Sequence, residues 1–172
     1  LIDAAGADTA VVFGKRSLTL LDLDGVQRED IAGLGHGVPV TRIRPGSSAT
    51  NNTVTQGPLL DIADLLVSAQ LLGVAEAARD LAVSYALVRE QFGKPIGSFQ
   101  AIKHHCANMA IEAEMLSSQL DMAAIALRDG RGDASFQVAA LRLLAPKVAL
   151  ANARTCIQIH GGIGFSAEAD AH

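Results

Sequence analysis

The chain has 172 residues, a formal net charge of −4 and no block of basic residues, so nucleic acid and anionic membrane surfaces are not expected partners. Charged residues interrupt the longest apolar stretches before they reach membrane-spanning length, so no membrane span is predicted. Hydrophobic residues make up 49% of the chain but aromatic residues only 3%, which indicates a core of Ala, Leu, Val and Ile in closely packed helices.

The first segment, residues 1–56, has the pattern of β-structure. A turn is predicted at Asp24-Gly25, and strands are predicted for the apolar or alternating runs at 10–13, 17–23 and 38–44. Strands this few and this short do not form a stable domain alone. We therefore expect residues 1–56 to be the C-terminal part of a larger, middle β-domain.

From residue 57 onward the apolar residues recur with a helical period. The pattern predicts one helix over 59–90, a second that begins near Ser98 as its N-cap, and a third from Asp133 to about residue 159. Pro146 lies inside the third helix and is expected to kink it. Three long helices joined by short loops predict a mainly α, up-down helical bundle over 57–172.

The connection between the first two predicted helices carries more recognition chemistry than a reversal of direction requires. Arg89 offers a planar fork of donors that suits phosphate oxygens, and Gly93 and Gly97 allow close backbone approach to a ligand. Phe92 and Phe99 are two of the five Phe in the chain. An ordinary helix–helix connection with both rings in the core is the alternative, and the composition of the loop does not decide between them.

Two longer strings resemble motifs of the acyl-CoA dehydrogenase family. Residues 85–104, YALVREQFGKPIGSFQAIKH, resemble the first part of the family's C-terminal helical domain, and residues 158–165, QIHGGIGF, resemble a second motif of that domain. The two occur in the family's order and at a fitting spacing, and the resemblance covers roughly residues 59–168. It implies that residues 57–172 are an FAD-contacting helical bundle that lacks the family's last helix.

The resemblance also implies an activity and a set of cofactor contacts. Members carry FAD and oxidise an acyl-CoA thioester to its trans-2-enoyl form, as in fatty acid β-oxidation: a carboxylate removes the α-proton and the β-hydrogen leaves as hydride to the flavin. Arg89 is expected to contact the pyrophosphate. Polar contacts with the cofactor are implied for Gln91 and Gln100, and apolar contacts for Phe92, Ile96 and Phe99. Contacts near the adenosine end are implied for Gln158, Gly161 and Gly162. Purely structural roles in the core or in helix ends are the alternatives.

The catalytic base is not identified in this chain. The family places it either beyond the second motif or early in the first helix of the bundle, where the resemblance puts Ala63, followed by Asp64. Ala cannot take a proton, and Asp61 and Asp64 match acids that favour the start of a helix. A non-catalytic partner subunit that completes the FAD site of a heteromeric enzyme is therefore the alternative to a catalytic subunit.

The remaining expectations concern partners, metals and location. The resemblance implies an acyl-CoA substrate, an electron-transfer flavoprotein as acceptor, and a homo- or hetero-tetramer with FAD at the dimer interface. It also implies a bacterial cytoplasmic or a mitochondrial matrix protein. No metal site is expected, because Cys106 and Cys156 form no CxxC pair and the adjacent His104 and His105 point about 100° apart on a helix.

Overall fold

The computed structural model describes residues 6–13, 18–31, 40–44, 51–54 and 58–171. The chain divides into two compact units, Leu1–Leu60 and Asp61–His172, which we describe separately. The prediction that residues 1–56 end a larger β-domain, and that 57–172 form a bundle without its last helix, stays a prediction.

The first unit contains five described strands: β1 (Thr9–Phe13), β2 (Leu18–Asp22), β3 (Gln27–Ile31), β4 (Val40–Arg44) and β5 (Asn51–Val54). β2 lies between β1 and β5 in an antiparallel three-stranded sheet, and β3 pairs with β4 in a two-stranded one. Ala10, Leu21 and Leu23 form the buried apolar cluster of this unit. The turn predicted at Asp24-Gly25 is present and joins β2 to β3, where the Asp24 amide donates to Asp22 Oδ1 at 2.9 Å.

Two of these strands were not predicted from the sequence. Every described side chain of β3 is exposed, and its sequence QREDI is charged and polar, so it lacks the apolar alternation that marks a strand. Its pairing with β4 supplies the strand geometry instead. β5 follows a loop that was predicted at residues 45–48. Those residues lie outside the described part of the chain.

The second unit contains three long helices: α1 (Leu59–Val88), α2 (Gln100–Arg128) and α3 (Ala134–His160). A short hairpin of β6 (Glu90–Gln91) and β7 (Lys94–Pro95), followed by a 3₁₀ turn over Ile96–Ser98, connects α1 to α2. A second 3₁₀ turn, Gly161–Phe165, follows α3. The prediction of a mainly α helical bundle is confirmed.

Two predicted helix ends differ from the structure, and the predicted start of the third helix agrees with it. The first helix ends at Val88 rather than 90, because Glu90 pairs with Pro95 in the hairpin. Ser98 is not the N-cap of α2, because it belongs to the 3₁₀ turn and Phe99 takes the extended N-cap conformation. Asp133 is the N-cap residue of α3, but its carboxylate makes no capping bond.

The Asp133 carboxylate is occupied by side chains instead of by the backbone of α3. It accepts hydrogen bonds from Arg131 at 2.8 and 2.9 Å and from Gln137 at 3.1 Å. These bonds hold the pKa of Asp133 below its usual value. The preceding turn also satisfies the end of α2, because the Arg131 amide bonds Ala126 O at 2.9 Å and the Gly130 amide bonds Leu127 O at 3.2 Å. This pair of bonds is a Schellman motif.

The core of the bundle consists of two apolar clusters. One contains Leu72, Leu116, Leu141 and other buried residues from all three helices, and the other contains Ala82, Ala86, Met109, Cys156 and Ile159. Both lack buried aromatic side chains among their members, as the composition predicts. The second cluster lies at the end of the bundle where α1 ends, α2 begins and α3 ends.

Asn152 of α3 is buried between the clusters, with 1% of its surface exposed. Its Nδ2 donates to Ala75 O on α1 at 3.0 Å and to Met109 O on α2 at 3.1 Å. Its Oδ1 is buried without a hydrogen-bond partner. One side chain thus ties all three helices together at a buried point.

The segment Ala134–Phe165, which includes α3, is long and apolar enough to cross a membrane by length and composition alone. Core helices of soluble proteins pass the same test. The exposed face of α3 carries Arg142, Lys147 and Arg154, and its buried face packs into both apolar clusters. α3 thus contributes buried side chains to both apolar clusters of the bundle.

Candidate functional site

The loop between α1 and α2 is fixed by its own backbone. The Arg89 amide donates to Tyr85 O at 2.9 Å, and the Ile96 amide donates to Arg89 O at 2.7 Å. These two bonds close the base of the hairpin around Arg89. Gly97 then packs on α1 so closely that a Cβ there would lie 2.9 Å from Ala86 O, which explains why this position has no side chain.

The tip of the hairpin is a two-residue turn formed by Phe92 and Gly93, because Gln91 pairs directly with Lys94. Both turn residues have positive φ, 53° for Phe92 and 75° for Gly93, as a type I′ turn requires. Positive φ is uncommon for a bulky residue and costs of order 1–3 kcal/mol. Such strain is concentrated at ligand-binding sites, which makes Phe92 a candidate functional residue.

Phe92 is exposed over 92% of its surface, so no core contact explains the strain. Its ring meets that of Phe99 edge to face, with the centroids 6.1 Å apart. The Lys94 ammonium lies 4.5 Å from the centroid of the Phe99 ring. Phe92 is therefore not a core residue, as the alternative proposed. It belongs to a small group of two aromatic rings and one ammonium, in which Phe99 is half-buried.

The second motif forms the end of α3 and the turn that follows it. Gly164 packs against the last turn of the helix, where a Cβ would lie 2.8 Å from Ile157 O. Gly161 and Gly162, in contrast, have open space where a Cβ would project. Their backbone is therefore accessible to a ligand on this side.

The loop and the second motif meet in one cleft of about 550 Å³, a size within the usual range for small-molecule sites. Seven of the nine predicted cofactor-binding residues line the cleft: Arg89, Gln91, Phe92, Ile96, Phe99, Gly161 and Gly162. Gln100 and Gln158 are exposed and lie outside the cleft lining. Their predicted contacts with the cofactor stay predictions.

Five lining residues were not assigned a site role from the sequence: Tyr85, Ile102, Ile159, His160 and Ile163. Tyr85 precedes Arg89 by four residues and so faces the same side of the helix end, a spacing that can be read from the sequence. The ring of Tyr85 stacks on that of His160, with centroids 4.1 Å apart and an interplanar angle of 22°. No local pattern predicts this contact, because it joins residues 75 positions apart.

The charges of the cleft favour an anionic ligand with apolar parts. Arg89 is the one formally charged side chain among the described lining residues, and Ile96, Phe99, Ile102, Ile159 and Ile163 supply apolar surface. Neighbouring Cys156 and Cys106 belong to the apolar cluster beneath, and burial raises the pKa of both thiols. They are therefore not thiolate nucleophiles at neutral pH.

Carboxylates are absent from the described residues that line the cleft. Asp61 and Asp64 lie near the start of α1, about 41 and 36 Å along the helix from Val88 at a rise of about 1.5 Å per residue. Asp61 Oδ2 accepts from Ser135 Oγ at 2.7 Å, and Asp64 Oδ2 accepts from Arg142 at 3.4 Å. Both acids thus join α1 to α3, a role that the sequence did not predict for them.

The bundle and its glycine-lined, arginine-bearing cleft define a C-terminal helical domain of the kind found in acyl-CoA dehydrogenases. Residues 53–172 match the family described as "Acyl-CoA dehydrogenase, C-terminal domain". The chain belongs to the acyl-CoA dehydrogenase family, and the resemblance inferred from its two motifs is confirmed.

Relatives of known name and structure agree with this assignment. The acyl-CoA dehydrogenase FadE34 of Mycobacterium tuberculosis is 48% identical over 113 residues, which cover 65% of this chain and 16% of that protein. A variant of the Tcur3481–Tcur3483 steroid ACAD is 29% identical with a TM-score of 0.82, covering 97% of this chain and 48% of that one. The ChsE4–ChsE5 complex from Mycobacterium tuberculosis is 26% identical with a TM-score of 0.80, covering 95% and 47%. The chain thus spans about half the length of these structures and a smaller part of FadE34.

Proposed function

We propose that the protein containing this chain is an FAD-dependent dehydrogenase that oxidises an acyl-CoA thioester to the trans-2-enoyl-CoA. In this reaction the α-carbon loses a proton to a base and the β-carbon loses a hydride. FAD, when bound, supplies the acceptor for that hydride. The observation that carries the proposal is the single cleft in which Arg89 and the Gly161–Gly162 turn meet, in a chain of this family.

The chemistry of the cleft residues fits a flavin dinucleotide. The Arg89 guanidinium provides several donors in a plane, which suits the oxygens of a pyrophosphate. The open space beside Gly161 and Gly162 leaves their backbone free to approach a ligand. Ile96 and Phe99 are half-buried and give an apolar wall for the flat rings of the dinucleotide.

The work of this chain is binding and orientation rather than proton transfer. Backbone hydrogen bonds on both sides hold the main chain of Arg89, so its Cα lies at the cleft before a ligand arrives, and its exposed side chain extends from that point. Exposed Phe92, whose ring meets that of half-buried Phe99 edge to face, extends the apolar wall at the cleft mouth, where it would exclude water from the ligand. A main chain held in this way lowers the cost of binding, because the ligand does not have to order the loop.

A non-catalytic partner subunit is the second candidate function, and a specific observation favours it. Ala63 occupies one of the family's positions for the base, and the neighbouring acids Asp61 and Asp64 are bonded to Ser135 and Arg142. Neither acid lies near the cleft. A structural relative is itself named as a complex of two different proteins, ChsE4 and ChsE5, which makes a heteromeric assembly a reasonable proposal here.

We further propose the partners that the family implies. The substrate is an acyl-CoA, the electron acceptor is an electron-transfer flavoprotein, and the assembly is a homo- or hetero-tetramer with FAD at the dimer interface. The exposed hairpin tip supports the last point, because Phe92 has apolar surface but no core contact within the described unit. An exposed aromatic side chain of this kind is typical of an interface.

Flavin binding tests the proposed site. In the purified full-length protein, Arg89→Ala should weaken FAD affinity by about 10- to 100-fold, because charge-assisted hydrogen bonds contribute about 1.5–3 kcal/mol. Arg154→Ala is the matched control, since Arg154 is an exposed arginine of α3 outside the cleft. Isothermal titration calorimetry on the apoprotein gives both values. Equal affinities of the two variants would contradict the assignment of this cleft.

A second experiment distinguishes the two candidate functions. The flavin-loaded protein is mixed anaerobically with a panel of acyl-CoAs while the absorbance of the flavin is followed. Bleaching by the protein alone indicates a catalytic subunit. Bleaching only after a second subunit type is co-purified indicates the partner role, and a protein that never binds flavin in any assembly refutes both.

A further inference from the structure

A second concave surface of the bundle, of about 190 Å³, lies between α2 and α3, and we call it the α2–α3 groove. Glu112 and Met115 form its α2 wall, and Lys147 lies in its α3 wall. The remaining described residues that line the groove are apolar. None of the lining residues of the groove belongs to the cleft that carries Arg89, so the two are separate surfaces.

The two helices beside the groove carry opposite charges. Within residues 106–127 of α2, the formally charged side chains are acidic: Glu112, Glu114 and Asp121. Those of α3 up to residue 159 are basic: Arg142, Lys147 and Arg154. No described residue forms an ion pair with Glu112 or with Lys147. An acid and a base thus line opposite walls of one groove, and each is left to pair with an ion from outside the described unit.

Exposed apolar side chains accompany both charges. Leu143 and Leu150 lie four residues before and three residues after Lys147, so they share its side of α3, and they are 79% and 51% exposed. Met115 lines the groove and Met122 lies about two turns further along α2, and they are 57% and 43% exposed. Large apolar side chains that are exposed together are typical of a protein–protein contact surface.

The arrangement of the charges is complementary to itself. α2 and α3 lie side by side, and Glu112 and Lys147 line the same small groove, so the two charges are at one level along the helices. A two-fold axis that runs along the groove would place α2 of one copy over α3 of a second copy. In such an isologous contact the acid of each copy meets the base of the other, and both pairs form at once. A second copy thus supplies an acid and a base at the required positions.

We propose that the α2–α3 groove is a contact between two copies of this chain, related by a two-fold axis along the groove. Glu112 of each copy pairs with Lys147 of the other, and Met115 and Leu143 pack beside these pairs. The inference goes beyond the proposed function, because it concerns a surface that has no residue in common with the cleft. It also assigns like chains to this contact, whether the chain is a catalytic or a partner subunit.

Charge reversal in the purified full-length protein tests the contact. Lys147→Glu brings two acids together across the axis, and Glu112→Lys brings two bases together. Each should weaken self-association at least about tenfold and halve the mass of the assembly, because like charges oppose each other at an interface. Lys103→Glu is the matched control, an exposed lysine of α2 outside the groove and the cleft, and should leave the mass unchanged. Sedimentation velocity measures the mass, and far-UV circular dichroism and Tm establish that each variant is folded.

A mixture of the two variants gives the sharper result. One variant carries acids at both positions and the other carries bases at both, so a mixed pair is complementary at each contact although neither variant is complementary to itself. Assembly should therefore return when the two are mixed. The double variant Glu112→Lys/Lys147→Glu should associate with itself, because exchange of the two charges restores self-complementarity.

Recovery on mixing supports the inference, because a second copy does not repair a structural defect within one chain. Unchanged mass in both variants, or a loss of mass that mixing does not reverse, overturns it and leaves the groove to another segment of the chain or to a different protein. An unsubstituted protein that is monomeric also overturns it. The mass is measured independently of flavin, so failure of this inference is distinguishable from failure of the FAD-binding test.

Discussion

Asn152→Asp should destabilise the bundle far more than its small change in shape suggests. Asn152 Nδ2 donates to two helix carbonyls at 3.0 and 3.1 Å, and a carboxylate replaces that donor with an acceptor. The two lost hydrogen bonds account for about 2 kcal/mol. A carboxylate at a site with 1% exposure, facing two carbonyl oxygens, adds an uncompensated buried charge. The total at pH 7 should be about 4 kcal/mol, in the range found when one partner of a buried pair is removed.

Asn152→Leu is the matched control for this substitution. It loses the same two hydrogen bonds but also removes Oδ1, the buried acceptor that has no partner. An unpaired buried polar atom costs about 1–3 kcal/mol, so the two effects should nearly cancel and leave the Leu variant within about 1 kcal/mol of the unsubstituted protein. Both variants lose the donor, so the difference between their free energies of unfolding isolates the cost of the buried carboxylate.

Thermal unfolding by calorimetry at pH 7 and at pH 4.5 provides the measurement. For a chain of this size, about 4 kcal/mol corresponds to a fall in Tm of about 8–16 °C. Burial raises the pKa of the introduced carboxyl in the folded state, so the folded protein binds its proton more tightly and the deficit should shrink as the pH falls. Equal stability of the Asp and Leu variants, or a pH-independent deficit in the Asp variant, would refute this reasoning.

Three further predictions follow from the turn, the glycine contacts and the surface charges. Phe92→Asn should raise stability by about 0.5–1 kcal/mol in urea unfolding, because Asn tolerates positive φ, yet weaken FAD binding measured by calorimetry. Gly164→Ala should lower Tm, since its Cβ would lie 2.8 Å from a backbone oxygen and force a shift costing about 1–3 kcal/mol, whereas Gly132→Ala, with open space, should not. A double-mutant cycle on Asp64 and Arg142 should give a coupling energy below about 1 kcal/mol, because both side chains are solvent-accessible and 3.4 Å apart; a larger value would contradict this.

Much of the helical unit could be predicted because its sequence signals are local. Apolar residues at alternating steps of three and four specify α2, and the Asp129-Gly130 pair marks its end. Ser98 misled the prediction of the helix start, because a serine next to a helix resembles an N-cap whether or not the chain has already entered a 3₁₀ turn. The local sequence therefore located the start of α2 to within a residue but assigned its N-cap to Ser98 instead of Phe99.

The candidate site was predictable to the extent that it lies in two continuous motifs. Residues such as Arg89 and Gly161 belong to those motifs, and the structure brings them into one cleft. The stack of Tyr85 on His160 was not predictable, since it depends on how α1 and α3 pack at their ends. Gln100 lies at the start of α2 but outside the cleft lining. A motif alone does not show which face of the helix a residue occupies.

The division of the core has a consequence for motion within the folded state. Among the described residues, the cluster beneath the cleft has five buried members, whereas the other has eight. Fewer buried apolar residues support the end beneath the cleft, so amide hydrogens there should exchange through openings of lower free energy than those at the far end. A bound ligand would oppose those openings, and protection from exchange would then rise at one end of each helix while the other end stays as it was.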